Sequence, residues 1–343
     1  MTMKKAEKRT WRTFWIPLLA AGLAICWTEV VNAAPMPSKV VIRCGSGLTA
    51  KHFPVITANK IAELAAQKSN NQIEFQFFLQ GVLGSERDLY EGLQLGTVDA
   101  VVGLVTVLSN FDPRIGVLDI PYIFESIDHA HNVFVKGNVG NIINEGLVKR
   151  AGIRVAGWLV GGPQEEFRTL STTTKDVQKP EDLHGLKVRV PESPIYREFF
   201  KLYGANPTPM PMGEVYTSLQ TNVIDGLEIP PYAILTRKYY EVLKYMPLTN
   251  HMYTANVLVM GEKFYSKLAP EVKNILSEAI KEGIAWQQKQ QPPQDVLETL
   301  RKNGMKVTTI DLKPFREKAR GLQDTFAKKV GGTDLLKEIL AGK

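Results

Sequence analysis

The chain has 343 residues, of which 44% are hydrophobic and 22% charged, and its formal net charge is +7. This length and composition fit a folded protein of about two domains and exclude a disordered or low-complexity chain. The basic residues are spread along the sequence, without a Lys/Arg run interleaved with aromatic residues, so nucleic acid is not an expected partner.

The first 33 residues have the pattern of a secretory signal peptide. A head of five Lys and Arg residues precedes an apolar run over residues 14–27, and Val31 and Ala33 precede the expected cleavage site. That run of about 14 residues is shorter than the ~20 residues of a bilayer span. We therefore expect cleavage after Ala33 and a periplasmic mature chain, whose net charge is then about +4.

The composition of the mature chain gives little sign of redox or metal chemistry. Cleavage would leave Cys44 without a second cysteine, which excludes an intramolecular disulfide. His129 and His131 have no partner pair at metal-ligand spacing. The sequence also has no GxSxG, HExxH, Walker or dinucleotide-binding motif. We therefore expect a binding protein that is not an enzyme and that needs no cofactor.

Strands and helices alternate in the first half of the mature chain. In order, the predicted elements are strand 39–44, helix 52–68, strand 73–79, helix 85–95, strand 98–104, helices 128–135 and 139–150, and strand 154–160. Ser85 has the position of an N-cap, with Asp88 three residues later. The continuous apolar run at 98–104 is typical of a strand buried on both faces of a parallel sheet. This order of elements predicts an α/β fold.

A second alternation follows the break at Gly161-Gly162-Pro163. The predicted elements are strand 186–190, helix 194–203, strand 208–210, helix 213–221, strands 223–227 and 256–261, and a long helix over 271–302 that Pro292-Pro293 must kink or break. The pattern predicts two α/β lobes with a chain that crosses between them. We assign 34–160 and about 255–290 to the N-terminal lobe, and 161–254 and about 291–343 to the C-terminal lobe. A cleft between such lobes is a favoured site for a small molecule.

Arg189 is the first candidate ligand contact. It lies in "GLKVRVPES", near the carboxyl end of a predicted strand that Pro191 closes. Ligands of open α/β sheets collect at that end of the strands, and a guanidinium matches a carboxylate with two parallel hydrogen bonds. The alternative is a solvated strand face, because Lys187 and Arg189 both alternate with the apolar residues of the strand.

Arg168 is the second candidate. It follows the glycine break, near the start of the second lobe, and Phe167 and Leu170 make its surroundings partly apolar. A partly buried cation could meet an anionic ligand there. An ion pair with Glu165 or Glu166 is the alternative, and the sequence does not decide between the two.

Residues 185–231 resemble the solute-binding proteins of TRAP (tripartite ATP-independent periplasmic) transporters. The resemblance rests on "LKVRVPES" and "GANPTPMPMGEVYTSLQTNVIDGLEIPP", whose alternate prolines also exclude a helix over 207–211. It extends to "KYYEVLKYMPLTNHMY", to "GVLGSERDLYEGLQLGTVDA" (81–100) and to "FDPRIGVLDIPYIF" (111–124). These motifs are long, keep the same order and cover most of the mature chain.

The resemblance implies a two-lobe periplasmic-binding-protein-like fold, in which crossing strands and a long helix link the lobes around a ligand cleft. It gives Arg189 the salt bridge to the ligand carboxylate and Arg168 the role of a second, more variable arginine. Ile229 replaces a residue that donates an amide hydrogen bond in many members, and the acidic residue that sialic-acid binders carry near Gly103 is missing. Both departures favour a smaller or more apolar carboxylate. Glu228 corresponds to a glutamate that holds a cation in some members, which leaves a bound cation open.

Four further residues are candidates for the walls of the cleft. Phe111 and Trp158 would supply apolar surface, with simple core packing as the alternative for each. Ser46 and Glu86 would close over the ligand from the N-terminal lobe. Since Glu86 would repel a carboxylate, it is expected to accept a hydrogen bond from a ligand hydroxyl.

The resemblance thus implies a periplasmic protein, expected to be a monomer, that captures an organic acid by hinge closure. It would deliver that small-molecule carboxylate to the membrane permease subunits of a transporter driven by an ion gradient. A ligand-sensing protein that acts in trans on a receptor is one alternative. An exported α/β enzyme is another, although the sequence shows no nucleophile–base pair.

Overall fold

The computed structural model describes residues 39–159, 167–290 and 295–342. The expected signal peptide and its cleavage site, the break at 161–163 and the prolines at 292–293 lie outside these ranges. Within them, none of the helices combines the length and apolarity that a membrane span needs.

The first lobe is built on a mixed five-stranded sheet. Its strands are β1 (Val40–Gly45), β2 (Ile73–Phe78), β3 (Ala100–Leu104), β4 (Ile153–Leu159) and β11 (Asn256–Gly261). They lie in the order β2-β1-β3-β11-β4, and β11 is antiparallel to both of its neighbours. The residues of β3 and β11 are almost all buried, because layers cover both faces of the sheet, and this explains their continuous apolar runs.

Helices cover both faces of the first sheet. They are α1 (Phe53–Lys68), α2 (Glu86–Leu95), α3 (Ile127–His131), α4 (Val139–Ala151), α8 (Glu262–Tyr265) and α9 (Pro270–Gln287). The predicted capping box forms at the start of α2: the Asp88 N–H donates to the Ser85 hydroxyl, and the Ser85 N–H donates to the Asp88 carboxylate at 2.7 Å. Helix α9 ends at Gln287, so the predicted helix over 271–302 is two separate helices.

The second lobe has a seven-stranded sheet. Its strands are β5 (Phe167–Thr172), β6 (Lys187–Val190), β7 (Asn206–Pro209), β8 (Gly226–Ile229), β9 (Tyr245–Pro247), β10 (Met252–Tyr253) and β12 (Lys306–Thr308). Six of them lie in the order β12-β9-β5-β8-β6-β7, and β10 pairs with β5. Strand β7 tolerates Pro207 and Pro209 because it is at the edge of the sheet, where one side needs no N–H donors.

The helices of the second half of the chain pack on this sheet and across the lobes. They are α5 (Pro194–Leu202), α6 (Val215–Gln220), α7 (Pro231–Thr236), α10 (Val296–Lys302), α11 (Lys313–Lys329) and α12 (Thr333–Ala341). Between β10 and β11, Thr254 and Ala255 carry the chain from the second lobe back to the first.

The C-terminal helices depart from the predicted lobe assignment. Helix α10 contacts α7 and β12, and β12 pairs with β9 of the second sheet. Helix α12, however, packs on α4 and on the 3-10 segment Pro113–Asp119 of the first lobe, and α11 contacts that segment and α5. We therefore propose that, of the described residues, 167–254 and 295–308 form the second lobe, and that α11 and α12 join the two lobes.

The hydrophobic core has three parts. One cluster is built from both lobes and includes Val101 of β3, Val188 of β6 and Phe326 of α11. A second cluster lies between the first sheet and helices α1 and α9, and a third lies under α6 and α7 in the second lobe. Each lobe therefore has an apolar core of its own, and the largest cluster continues between them beside the cleft.

Candidate functional site

Two adjoining cavities lie between the lobes. The larger has a volume of about 440 Å³ and is lined by residues of both lobes. The smaller, of about 50 Å³, shares Leu48, Leu104, Met212 and Arg237 with it. The charged residues that line the larger cavity are Glu86, Asp88, Arg189, Glu192, Glu214 and Arg237.

Arg189 lies at the base of the larger cavity and is only 4% exposed, so the solvated-face alternative does not hold. Strand β6 positions it, and its Nε and Nη2 donate to the Met210 carbonyl at 3.0 and 2.6 Å. Its Nη1 is buried and has no partner in the described part of the chain. Burial lowers the pKa of Arg189 to about 10, so the guanidinium is still charged at neutral pH. A buried cationic donor without an acceptor fits an anionic ligand.

Arg168 is also buried, but its charge is already balanced. Its Nε and Nη2 donate to the Glu228 carboxylate at 2.6 and 2.8 Å, and its Nη1 donates to the Thr254 hydroxyl at 3.1 Å. Burial alone would lower the pKa of Arg168, but the charge and hydrogen bonds of Glu228, together with Tyr196 and Asp119, hold the pKa above its usual value. The residues of the alternative ion pair, at 165 and 166, lie outside the described residues. Arg168 therefore borders the smaller cavity as one half of an ion pair.

Glu228 has both carboxylate oxygens occupied by donors. Besides Arg168, a ring nitrogen of His251 lies 3.3 Å from its Oε2. Burial would raise the pKa of Glu228, but the Arg168 guanidinium holds it below the usual range, so the carboxylate stays ionised. This arrangement argues against Glu228 as a cation ligand. Within the described ranges, no group of three or more His, Cys, Asp or Glu residues could hold a metal ion.

Glu86 brings a carboxylate into the larger cavity from the first turn of α2. Its Oε1 accepts the Leu104 N–H, and burial raises the pKa of Glu86 to about 7 against the opposing charges of the cleft arginines. A Cβ atom at Gly103 would clash with this carboxylate and with the Tyr90 hydroxyl. Glu86 therefore brings an acidic group from α2 next to Gly103 of strand β3.

The structure places Ile229 and Ser46 differently with respect to the cleft. Ile229 lines the smaller cavity and gives it apolar surface. Ser46 is buried, and its hydroxyl donates to the Val102 carbonyl at 2.6 Å and accepts from the Leu48 N–H at 3.1 Å. Because these bonds hold the loop after β1, Ser46 supports the cleft without lining either cavity.

Phe111 is partly buried against the core, Trp158 belongs to the core, and neither lines the two cleft cavities. Phe111 packs edge-on against Tyr90, and Trp158 stacks on Phe134 at a ring distance of 4.7 Å. Trp158 borders a different cavity, within the first lobe. The apolar walls that we expected from them come instead from residues such as Leu104 and Met212.

Two cleft residues escaped the sequence analysis. Arg237 follows α7, lines both cavities and donates from Nη2 to the Gly47 carbonyl of the first lobe at 2.7 Å. Asn256 lines the smaller cavity, and its Oδ1 is buried without a partner in the part of the chain that the structure describes. Neither lies in a local pattern with a recognised chemical meaning, so the sequence offered no signal for them.

Comparison with known proteins agrees with this geometry. The family model for bacterial extracellular solute-binding protein, family 7, matches residues 44–329. A protein of Haemophilus influenzae is 33% identical over 331 residues, covering 94% of this chain and 96% of its own. The 2,3-diketo-L-gulonate-binding periplasmic protein YiaO of Escherichia coli is 29% identical over 333 residues, covering 96% and 98%.

Solved structures extend the likeness to three dimensions. The crystal structure of a TRAP periplasmic solute-binding protein from Polaromonas sp. JS666, bound to D-erythronate, has a TM-score of 0.81 and 27% identity. The match covers 88% of this chain and 99% of that one. The predicted two-lobe fold and the predicted family are both confirmed. The chain belongs to the family 7 extracellular solute-binding proteins, the solute-binding proteins of TRAP transporters.

Proposed function

We propose that this protein captures a small hydroxylated or keto acid in its cleft, holds the ligand carboxylate on Arg189 and delivers the acid to the membrane permease of a TRAP transporter. The observation that carries this proposal is the buried Nη1 of Arg189, a residue of the larger cavity, for which the described residues provide no acceptor. A carboxylate oxygen would satisfy that donor with a charge-assisted hydrogen bond.

The lining of the cavity supports a ligand with hydroxyl groups. Glu86, Asp88, Glu192 and Glu214 all border it, and carboxylates accept hydrogen bonds from hydroxyls. The relatives named above bind 2,3-diketo-L-gulonate and D-erythronate, which are a keto acid and a hydroxy acid. The apolar Ile229 and the volume of about 440 Å³ favour an acid of modest size over a larger sugar acid.

The proposed mechanism is lobe closure without chemistry. Arg189 belongs to the second lobe and Glu86 to the first, so an acid held by both bridges the lobes and favours their closed arrangement. Capture and release by this route break no bond in the ligand, and for that reason we propose a carrier and not an enzyme. We further propose that the chain acts as a monomer in the periplasm after cleavage following Ala33. A sensor acting in trans would use the same cleft, but the transporter family favours delivery to a permease.

The proposal is tested by a thermal-shift screen followed by titration calorimetry. The panel is 2,3-diketo-L-gulonate, D-erythronate, galactonate and succinate, since a tight ligand raises the unfolding temperature through RT ln(1 + [L]/Kd). We expect Arg189→Lys to weaken the tightest acid by about tenfold or more, because a lysine cannot reproduce the guanidinium geometry.

Lys187→Gln is the matched control. Lys187 lies on the same strand, two residues away, and its ammonium group donates to the Asn222 carbonyl at 2.8 Å. The Lys187→Gln variant should bind the acid as the wild-type protein does. Wild-type affinity in Arg189→Lys, or no binding of any acid by the wild-type protein, would overturn the proposal.

A further inference from the structure

Side chains at and after α7 join the second lobe to the first-lobe segment 47–52. The Tyr232 hydroxyl donates to the Lys51 carbonyl at 2.7 Å, and the Tyr232 ring meets the His52 ring edge-on at 5.9 Å. The Thr236 hydroxyl lies 3.3 Å from His52 Nε2. We call this set of contacts, together with the bond from Arg237 to the Gly47 carbonyl, the inter-lobe clasp.

The clasp spans the cleft, because its two sides belong to different lobes. Helix α7 follows β8 of the second sheet, whereas segment 47–52 lies between β1 and α1 of the first lobe. Separation of the lobes would break all of its hydrogen bonds. The clasp is therefore a feature of the closed arrangement.

Arg237 differs from the other clasp residues in its relation to the cavities. It lines both of them, whereas Thr236, the residue before it, lines neither. Its guanidinium donates to the Gly47 carbonyl, which carries no negative charge. Because a guanidinium has five N–H donors, this bond leaves donors for a ligand.

The charge of Arg237 affects the pKa values of the two groups that are proposed to hold the ligand. It lowers the pKa of Arg189, although less than burial does, and it opposes the rise in the pKa of Glu86 that burial causes. An acid bound between Arg189 and Glu86 therefore lies within electrostatic reach of Arg237 as well.

We propose that Arg237 is a specificity-determining residue that acts as a second anchor for the ligand. Its guanidinium joins the Gly47 carbonyl of the first lobe to an oxygen at the end of the acid remote from Arg189. The inference rests on the proposed function, because it requires an organic acid whose carboxylate is on Arg189. A methyl group at the remote end would accept no hydrogen bond from the half-buried Arg237 guanidinium, so the site discriminates against such acids.

This role has a kinetic consequence. The bond to Gly47 forms only when the lobes have closed, after the acid has entered the cleft. Loss of Arg237 should therefore accelerate dissociation of the acid and leave its association rate nearly unchanged.

The test uses two pairs of acids in which only the remote end differs: galactonate with 6-deoxygalactonate, and succinate with butyrate. Affinities by calorimetry and dissociation rates by stopped flow are measured for the mature wild-type protein and for Arg237→Gln, Thr236→Val and Arg189→Lys. In Arg237→Gln we expect the oxygen-bearing acid to dissociate about tenfold faster and the preference within the pair to disappear.

Thr236→Val is the matched control, because it removes a clasp bond without changing the cavity lining. It should keep the preference of the wild-type protein within each pair. If Arg237→Gln does not fold, as judged by its thermal unfolding, Arg237→Lys takes its place and should keep a reduced preference.

The possible failures are distinct. If the acids bind, Arg189→Lys weakens them and Arg237→Gln keeps the wild-type preference, the inference about Arg237 is overturned and the proposed function stands. Equal loss of preference in Thr236→Val and Arg237→Gln also overturns it, since Arg237 would then act through the clasp alone. If the wild-type protein binds neither these four acids nor any acid of the screening panel, the proposed function and the inference both fall.

Discussion

Arg168 and Arg189 are buried to a similar degree, but they differ in their acceptors, since a carboxylate balances the charge of Arg168. Arg168 has a carboxylate, a carbonyl and a hydroxyl as acceptors, whereas Arg189 has only the carbonyl of Met210 among the described residues. Because an unpaired buried donor costs free energy, Arg189 is the residue that gains from an anionic ligand. Arg168 would have to give up Glu228 to do the same, and a buried charge without its partner is strongly unfavourable.

The buried pair of Arg168 and Glu228 predicts a large loss of stability in Glu228→Gln. The substitution would leave the Arg168 charge buried without a counter-ion, at a cost of about 3–5 kcal/mol in the free energy of unfolding. Glu298→Gln is the control, since Glu298 is half exposed and its partners lie 3.7 and 3.8 Å away; it should cost at most about 1 kcal/mol. Urea unfolding monitored by circular dichroism measures both. Equal losses in the two variants would contradict the structural role of the pair.

The pKa of Glu86, about 7, predicts pH-dependent binding. A bound anion offsets the arginine charges that oppose protonation of Glu86, so its pKa rises further and binding takes up a proton. Affinity for a monovalent acid should therefore be highest below pH 7 and should fall as the pH rises above it.

Calorimetry from pH 6 to pH 8, in buffers of different ionisation enthalpy, measures this proton uptake. Glu86→Gln cannot take up the proton and should bind with a nearly flat pH profile. Of the other carboxyl groups at the cavity, Asp88 has its pKa held low by the Ser85 hydroxyl and N–H, so it should not contribute. A wild-type profile that is already flat over this range would show that Glu86 does not titrate on binding.

At the scale of the residue, the sequence was informative where a motif carried the chemistry. Arg189 was singled out from its strand and its family motif, and the structure adds that its Nη1 has no partner within 39–159, 167–290 and 295–342. The partner of Arg168 could not be predicted, because Glu228 is 60 residues away in the chain. Arg237 gave no signal, since only the approach of two lobes brings it beside Gly47.

At the scale of the element, local chemistry determined the boundaries that were predicted well. The capping box at Ser85 and Asp88 fixes the start of α2, and thereby the position of Glu86 in its first turn. Strand β8 was placed about three residues too early, at 223–227. The Asp225 carboxylate accepts the Lys187 N–H at 2.8 Å, and the strand begins only at Gly226. That contact is non-local, so the run from 223 could not reveal it.

Two helical glycines differ in the space around them, so their substitution by alanine should have opposite effects on stability. A Cβ atom at Gly283 would clash with the Ile61 side chain, whereas a Cβ at Gly321, within α11, would meet no atom within 4 Å. Gly283→Ala should therefore destabilise the protein by about 1–3 kcal/mol through overpacking. Gly321→Ala should stabilise it by about 0.5–1 kcal/mol, because alanine loses less conformational freedom in a helix. Chemical unfolding measures both, and a gain in stability for Gly283→Ala would contradict the packing described for α1 and α9.

At the scale of the whole molecule, the sequence predicted two α/β lobes because its strands and helices alternate twice. The order of strands in the sheets was beyond it: β11 is inserted between β3 and β4, more than 90 residues after either, and this depends on how the chain returns through Thr254 and Ala255. The C-terminal helices are a second case. Helix α12 docks on α4 of the first lobe, and amphipathic spacing shows only that a helix has an apolar face, not which surface covers it.

The larger cavity is lined by residues of both lobes. Arg189 comes from the second sheet and Glu86 from a helix of the first lobe. Arg237 of the second lobe donates a hydrogen bond to the Gly47 carbonyl of the first. A ligand that satisfies all three stabilises the closed molecule at the expense of the open one, which is what a carrier for a membrane permease requires.

The most direct test is a crystal structure of the mature protein with the tightest acid of the screening panel. We predict that the acid lies in the larger cavity with a carboxylate oxygen about 2.7–3.2 Å from Nη1 of Arg189, while the ion pair of Arg168 and Glu228 stays intact. A carboxylate bound to Arg168 in place of Glu228, or an acid bound outside the cleft, would contradict the proposed role of Arg189.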